Sequence, residues 1–166
     1  MEYNLRTLTG LGVAAYRPKS EGDYHDLCYA LPDKYQLACA FGAYTWWLTF
    51  STDTPLNRIA RIGDECRAFR TTQMRDACYM GVGDHYPVAP GRATKDIRTL
   101  CENLSTEVGG QLLCKGFAAA ISLQLNGTKA EGICDDLQGT ALTFCKKYAD
   151  GEANWLHVEP VPVEYR

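Results

Sequence analysis

The stretch 54–69 shows the clearest periodic pattern of apolar and polar residues in the chain. Its apolar side chains recur at intervals of three and four residues, as on one face of an α-helix: Leu56, Ile59, Ile62 and Cys66. Thr54 and Pro55 precede them and are typical of an N-cap and a first helical position. A polar break then leads into a second apolar stretch around Cys78. The pattern predicts two short helices joined by a turn.

Three other stretches of the chain repeat this design, and strand-type alternation is nearly absent. Pro32 is expected to open the second helix of the first unit, and Thr94 to cap the first helix of the third. The predicted fold class is all-α, a right-handed array of about four helical hairpins. The hairpins are predicted at about residues 20–50, 54–86, 93–125 and 127–150. They form one domain, residues 1–152, followed by a proline-punctuated, extended C-terminal tail, residues 153–166.

The eight cysteines follow the same order, because each predicted hairpin contains two of them, 11 to 13 positions apart. The pairs are Cys28 and Cys39, Cys66 and Cys78, Cys101 and Cys114, and Cys134 and Cys145. Each first cysteine begins a Cys-x-x-Leu or Cys-x-x-Phe motif, and two of the second ones begin Cys-x-x-Gly. First cysteines recur every 33 to 38 residues, a period typical of stacked repeats.

This period and cysteine placement, over residues 20–150, resemble Sel1-like and tetratricopeptide arrays. The pattern looks closest to uncharacterised, extracytoplasmic, cysteine-rich bacterial repeat proteins. The resemblance implies a scaffold that binds a protein or peptide along a concave face. It implies no catalytic activity.

An even number of cysteines at regular spacing favours disulfides. Eight cysteines allow about 105 pairings, and pairing within each hairpin is the simplest. We therefore expect an extracytoplasmic protein: periplasmic, cell-surface or secreted. The start at Met1 lacks the features of a signal peptide, so we expect it to begin a mature or trimmed segment.

Composition excludes several partners. With 17 basic and 20 acidic residues, the chain lacks the basic surface typical of nucleic-acid binding. The longest uncharged apolar run, residues 37–50, is shorter than the roughly 20 residues of a membrane span, so a membrane anchor would lie outside this chain. There are 3 histidines and no Cys-x-x-Cys pair, so we expect no metal and no cofactor.

One motif suggests an enzyme. The order His25, Asp26, Cys28, Tyr29 resembles the catalytic histidine region of secreted phospholipases A2, which implies a calcium-dependent hydrolase with His25 as general base. The upstream glycines, Gly10 and Gly12, have no accompanying cysteine. In the other units Gly63, Arg98 and Glu131 occupy the place of His25. We therefore expect His25 to be a surface residue that is solvated or locally hydrogen-bonded.

A second candidate lies at residues 81–87. Asp84 and His85 would form a metal site with Asp23, His25 and Asp26 if neighbouring hairpins brought them together. The interpretation we favour is that the glycines at 81 and 83 end a helix and that Asp84 caps the turn before Pro87.

Aromatic residues supply a candidate binding surface. Tyr44, Trp46 and Trp47 lie at the end of the uncharged run. Adjacent residues on a helix point about 100° apart, so one tryptophan is expected to be exposed as a binding anchor. The leading functional hypothesis is a non-catalytic, extracytoplasmic scaffold that binds a protein or peptide, as a structural subunit of an envelope or surface assembly. The alternative is the phospholipase A2-like hydrolase.

Overall fold

The computed structural model describes residues 23–43, 56–88, 93–126, 132–150 and 161–165. Within these ranges the chain forms seven α-helices and two short 3-10 helices, and no β-strand. The all-α prediction is therefore confirmed, whereas the right-handedness of the array and the domain boundaries stay predictions. None of the described helices is long and apolar enough to cross a membrane.

The helices follow one another as hairpins. The first hairpin is α1 (Asp23–Tyr29) and α2 (Asp33–Gly42), and the second is α3 (Leu56–Ala68) and α4 (Thr72–His85). The third is α5 (Thr94–Leu104) and α6 (Val108–Asn126), and α7 (Gly139–Ala149) belongs to the fourth unit. The 3-10 helices are Tyr86–Val88 and Val163–Tyr165.

Each unit is closed by its own disulfide, as the spacing predicts. The bonds are Cys28–Cys39, Cys66–Cys78, Cys101–Cys114 and Cys134–Cys145, with Cα–Cα distances of 5.4 to 6.0 Å. All eight cysteines are used, and none is more than 6% exposed. Four buried disulfides indicate that the chain folds in an oxidising environment.

Successive units pack in two rows. The second helices lie side by side in the order α2, α4, α6, α7, and α3 packs on α5 in the row of first helices. An aromatic row connects the second helices, because the Phe117 ring contacts both Phe41 of α2 and Tyr148 of α7. All three rings are buried. The structure is compatible with a cysteine-rich helical repeat.

The glycines at 81 and 83 do not end a helix, contrary to the prediction. Helix α4 continues through both of them to His85. Their lack of a side chain serves packing instead: a Cβ at Gly81 would overlap the carbonyl oxygen of Phe41 on α2, and one at Gly83 would overlap that of Cys114 on α6. The two glycines let α4 lie with its backbone directly against both neighbouring hairpins.

The fourth unit departs from the hairpin design. The helix predicted around Cys134 is absent from residues 132–138, which form turns that begin at Gly132 with φ of 98°. The only α-helix described in this unit is α7. The Cys134–Cys145 bond attaches the turn segment to that helix, and Ile133 contributes to the core at 1% exposure.

Helix starts also differ in detail from the prediction. Thr94 is the first residue of α5 rather than its cap; the N-cap is Ala93, whose backbone N–H donates to the Asp96 carboxylate. Helix α4 is capped by Thr71, whose hydroxyl accepts from the Met74 N–H. The predicted cap at Thr54 and Pro55 lies outside the described residues.

Candidate functional site

His25 links the first two hairpins. Its Nε2 lies 2.6 Å from the backbone oxygen of Glu65, and since a carbonyl only accepts, Nε2 carries the hydrogen and donates it. Its ring stands edge-on to Phe69 with centroids 4.4 Å apart. The side chain is 14% exposed. The expectation of a solvated or locally bonded residue is therefore wrong, because the partner lies 40 positions away on α3.

We expect His25→Gln to lower the free energy of unfolding by about 1 kcal/mol. Glutamine still donates to the Glu65 carbonyl but loses the edge-on contact with Phe69, and such aromatic contacts are worth about 0.5 to 1.5 kcal/mol. Urea denaturation followed by circular dichroism measures the difference. Asp26→Asn is the matched control, since Asp26 is exposed on the same helix and should change stability by less than about 0.5 kcal/mol. Equal effects at both positions would contradict the assignment of His25 as an inter-hairpin contact.

Asp84 and His85 lie at the end of α4. The His85 Nδ1 is 3.5 Å from an Asp84 carboxylate oxygen, and the His85 ring packs edge-on against Phe41 of α2. Asp84 is 8% exposed and lies within the helix, so it is not the turn cap that the sequence suggested. Among the residues that the structure describes, no three His, Cys, Asp or Glu side chains come together as metal ligands. The proposed grouping of this pair with His25 and Asp26 is therefore not formed there.

An ion pair between a buried lysine and a partly exposed aspartate attaches the fourth unit to the third hairpin. Lys115, in α6, is 2% exposed, and its ammonium group donates to the carboxylate of Asp136 in the turn segment. It also lies 3.2 Å from Glu102 of α5. Two carboxylates compensate the buried positive charge of Lys115. A buried ammonium group without such partners would lack this compensation. Sequence periodicity gives no sign of this site, since Lys115 lies 13 positions from Glu102 and 21 positions from Asp136.

Burial alone would raise the pKa of Asp136, but the hydrogen bond and positive charge of Lys115 outweigh it and hold that pKa below its usual value. A folded-state pKa below the unfolded one contributes stability that is present above the unfolded pKa. It is lost as the pH falls through the folded pKa. This contribution should therefore begin to fall in acid, below about pH 4, and be lost at still lower pH.

We expect Asp136→Asn to lower the free energy of unfolding at pH 7 by about 1 to 3 kcal/mol. Breaking a fully buried pair costs about 3 to 5 kcal/mol, and the loss is smaller here because Asp136 is 33% exposed and Glu102 still compensates Lys115 in part. Denaturation at pH 7 and pH 3 measures this, and the difference between variant and parent should shrink at pH 3. Asp135→Asn, at the exposed neighbour, is the control and should have little effect at either pH. A loss that persists unchanged at pH 3 would contradict the charge-based account.

The second and third hairpins share a buried hydroxyl pair. The Ser105 hydroxyl, between α5 and α6, lies 3.5 Å from the Tyr79 hydroxyl of α4. Both residues are buried, and burial raises the pKa of the Tyr79 hydroxyl. Ser105 also accepts from the Glu107 N–H. The arrangement holds the turn between α5 and α6 against α4, which is a packing role.

The end of the C-terminal tail folds back onto the helical body, contrary to the predicted extended arm. Val161 is 3% exposed and lies against Gly109, near the start of α6. A Cβ on Gly109 would come within 2.9 Å of both the Val161 side chain and the Tyr165 backbone oxygen. The glycine therefore forms the floor of a groove that holds the backbone of the tail closely.

Helix α7 forms the other side of this groove through Thr140. Its hydroxyl lies 3.2 Å from a Glu164 carboxylate oxygen and 2.7 Å from the Tyr165 hydroxyl. Since a carboxylate only accepts, the single Thr140 proton goes to Glu164, and the Tyr165 hydroxyl donates to Thr140. We call this surface, which is formed by Gly109 of α6 and Thr140 of α7, the tail groove.

Exposed apolar side chains in the described residues also lie at this end of the molecule. The large ones are Val108, at 44% exposure beside Gly109, and Val163, at 85% exposure within the tail segment. The predicted binding residues Tyr44, Trp46 and Trp47 lie outside the described residues, so their role stays a prediction. A signal for the tail groove was present in the sequence only as two adjacent helical glycines, 109 and 110, and an apolar tail segment.

No protein-family model matches the chain, and comparisons with curated proteins and with solved structures find no match. The resemblance to helical-repeat proteins therefore depends on the cysteine spacing and on the hairpins that the structure shows.

Proposed function

We propose that the chain is a non-catalytic helical-repeat scaffold, Sel1-like in architecture, that binds a protein or peptide outside the cytoplasm. The observation that carries the proposal is the tail groove. There, a five-residue segment without an α-helix of its own, residues 161–165, lies against two helices of the body through one buried side chain and two hydroxyl contacts. A body that holds a short segment of its own chain in this way has the chemistry needed to hold a short segment of another.

The environment of the ionisable side chains also supports a scaffold. His25 donates to a backbone carbonyl on the next hairpin, and Lys115 connects the third hairpin to the fourth unit. A general base has to face the proton that it removes with its unprotonated nitrogen, and in His25 that nitrogen, Nδ1, lies 3.6 Å from the Glu65 carboxylate. The phospholipase alternative would require this contact to break before catalysis.

Disulfide closure of every unit fits a periplasmic, cell-surface or secreted location, where thiols are oxidised. We propose that the partner is a structural component of an envelope or surface assembly. Tyr44, Trp46 and Trp47 are proposed as a second contact region, because Trp and Tyr are enriched among residues that dominate binding energy.

Selection of peptides from a random phage-displayed library tests the binding function. The oxidised chain is the bait, and reduced, alkylated chain removes peptides that bind unfolded protein. We expect enriched peptides that bind the oxidised chain with micromolar Kd in calorimetry. Failure to enrich any peptide dependent on the oxidised fold would contradict the proposal.

A phospholipid assay separates the scaffold from the hydrolase. Incubation with phosphatidylcholine micelles over a range of calcium concentrations should release no fatty acid. Release that depends on calcium and is abolished by His25→Gln, with the fold intact, would instead support the phospholipase.

A further inference from the structure

We propose that residues 161–165 compete with partner peptides for the tail groove, and that these peptides share the sequence pattern of the tail. That pattern is an aliphatic residue, proline, any residue, an acidic residue and tyrosine. The inference rests on the proposed peptide-binding function and names the ligand class of that site.

The first position of the pattern is set by burial. Val161 is almost fully removed from solvent, and its side chain lies against Gly109, where a Cβ would occupy the same space. An aliphatic side chain gains roughly 25 cal/mol per Å² of apolar surface buried, whereas a charged one would be desolvated without a partner. The groove therefore selects an aliphatic residue at this position.

The last two positions are set by one hydroxyl group. Thr140 can donate to only one acceptor, the carboxylate of Glu164, and it accepts from Tyr165. This directional pair distinguishes an acidic residue followed by tyrosine from the same peptide with phenylalanine, which lacks the donor. Val163, at 85% exposure, faces away from the groove, so that position is not selected.

The shape of the segment is partly fixed before binding. The Tyr165 N–H donates to the Pro162 carbonyl over 2.9 Å and closes a 3-10 turn, and the ring of Pro162 fixes its own φ. A ligand that is already turned loses less conformational entropy on binding. Proline at the second position is therefore part of the recognised pattern.

The tail has an advantage over any free peptide. Residues 151–160 join it to α7, and short linkers give effective concentrations in the millimolar range. A separate peptide that makes the same contacts must compete with the tail at this effective concentration. The intact chain should therefore bind such peptides much more weakly than a chain whose tail segment has been removed.

The experiment compares the full chain with a variant that ends at Pro160. The probe is the synthetic peptide Val-Pro-Val-Glu-Tyr-Arg, and binding is followed by NMR chemical-shift changes in the labelled protein. We expect the shortened chain to bind the probe with a Kd at least about tenfold lower than the full chain does.

Thr140→Ala in the shortened chain should weaken binding, as should phenylalanine in place of the peptide tyrosine. Thr143→Ala is the matched control. Thr143 lies one turn further along α7, and its hydroxyl donates to the Gly139 carbonyl of the same helix. This substitution should leave binding of the probe unchanged.

Equal binding of the probe to both chains, or no binding to a folded shortened chain, would overturn the proposal. If circular dichroism shows that the shortened chain is unfolded, Val161→Asp in the full chain provides a second way to release the tail. If that variant also fails to fold, the segment is an integral part of the core and the proposal is wrong. A full chain that forms dimers by exchanging tails, detected by light scattering, would overturn it as well. Library-selected peptides that bind without competing with the probe would leave the scaffold function intact while rejecting this site.

Discussion

Reduction of the four disulfides is expected to unfold the chain at 37 °C. Closing a loop of 11 to 13 residues stabilises by about 3 kcal/mol in the chain-entropy model, so four such bonds in separate units contribute roughly 12 kcal/mol together. Net stabilities of single domains are about 5 to 15 kcal/mol. Helices of 7 to 19 residues have little stability alone, so no unit should survive as an isolated hairpin.

Thermal denaturation by circular dichroism, with and without a phosphine reductant, measures this effect. Because all eight cysteines are buried, reduction should require prior denaturation or long incubation. Removing the reductant and re-oxidising should restore the original transition, which controls for chemical damage. A reduced chain that keeps a cooperative transition near the original Tm would contradict the stabilising role assigned to the disulfides.

Gly63→Ala is expected to destabilise the chain by more than about 3 kcal/mol. In an isolated helix this change would stabilise by about 1 kcal/mol, because alanine has the higher helix propensity. Here the added Cβ would overlap the carbonyl oxygen of Leu104, at the end of α5, and this neighbour is backbone that cannot rotate away. Helices α3 and α5 must therefore separate, which loses the close packing between the second and third hairpins.

Gly116→Ala is the comparison that isolates this cause. A Cβ at Gly116 would lie 3.0 Å from the Cβ of Tyr148, a contact that a shift of a few tenths of an ångström relieves, whereas a Cβ at Gly63 would lie 1.4 Å from a backbone oxygen. Chemical denaturation of both variants should therefore show a much smaller loss at Gly116 than at Gly63. Similar losses of stability at the two positions would contradict the role assigned to Gly63, which is to permit close backbone contact between hairpins.

Local features of this fold could be predicted from the sequence because they depend on neighbours along the chain. The period of apolar residues in α3 and the regular cysteine spacing each involve positions within one hairpin, and both predictions are confirmed. Helix ends depend on more distant neighbours as well. The glycines at 81 and 83 carry the local signal of a helix end, but close packing against carbonyl groups of α2 and α6 decides their role.

Contacts between units could not be predicted in the same way. The sequence predicts that His25 is a surface residue, because nothing near it in the chain reveals Glu65 and Phe69, 40 and 44 positions later. Lys115 follows Cys114 and resembles any helical lysine until Asp136 is brought beside it. The prolines of the tail predict an extended segment, yet burial of Val161 against Gly109 outweighs that local preference.

The most direct test of the account is the connectivity of the disulfides in the protein itself, because the hairpins, their stability and the tail groove all depend on it. Trypsin, acting on denatured and unreduced chain, can separate the four units. The cleavage sites between successive pairs are Arg58 and Arg61, then Arg92, Lys95 and Arg98, then Lys115 and Lys129.

Mass spectrometry of the unreduced digest should then detect each pair separately. Cys28 with Cys39 and Cys66 with Cys78 should appear as separate peptides joined by a disulfide, because trypsin also cleaves between the two cysteines. Cys101 with Cys114 and Cys134 with Cys145 should each appear in a single peptide with an internal disulfide. Alkylation before digestion should modify no cysteine, since none is free. A peptide linked across units, such as one that joins Cys39 to Cys66, would contradict the array of separately closed units.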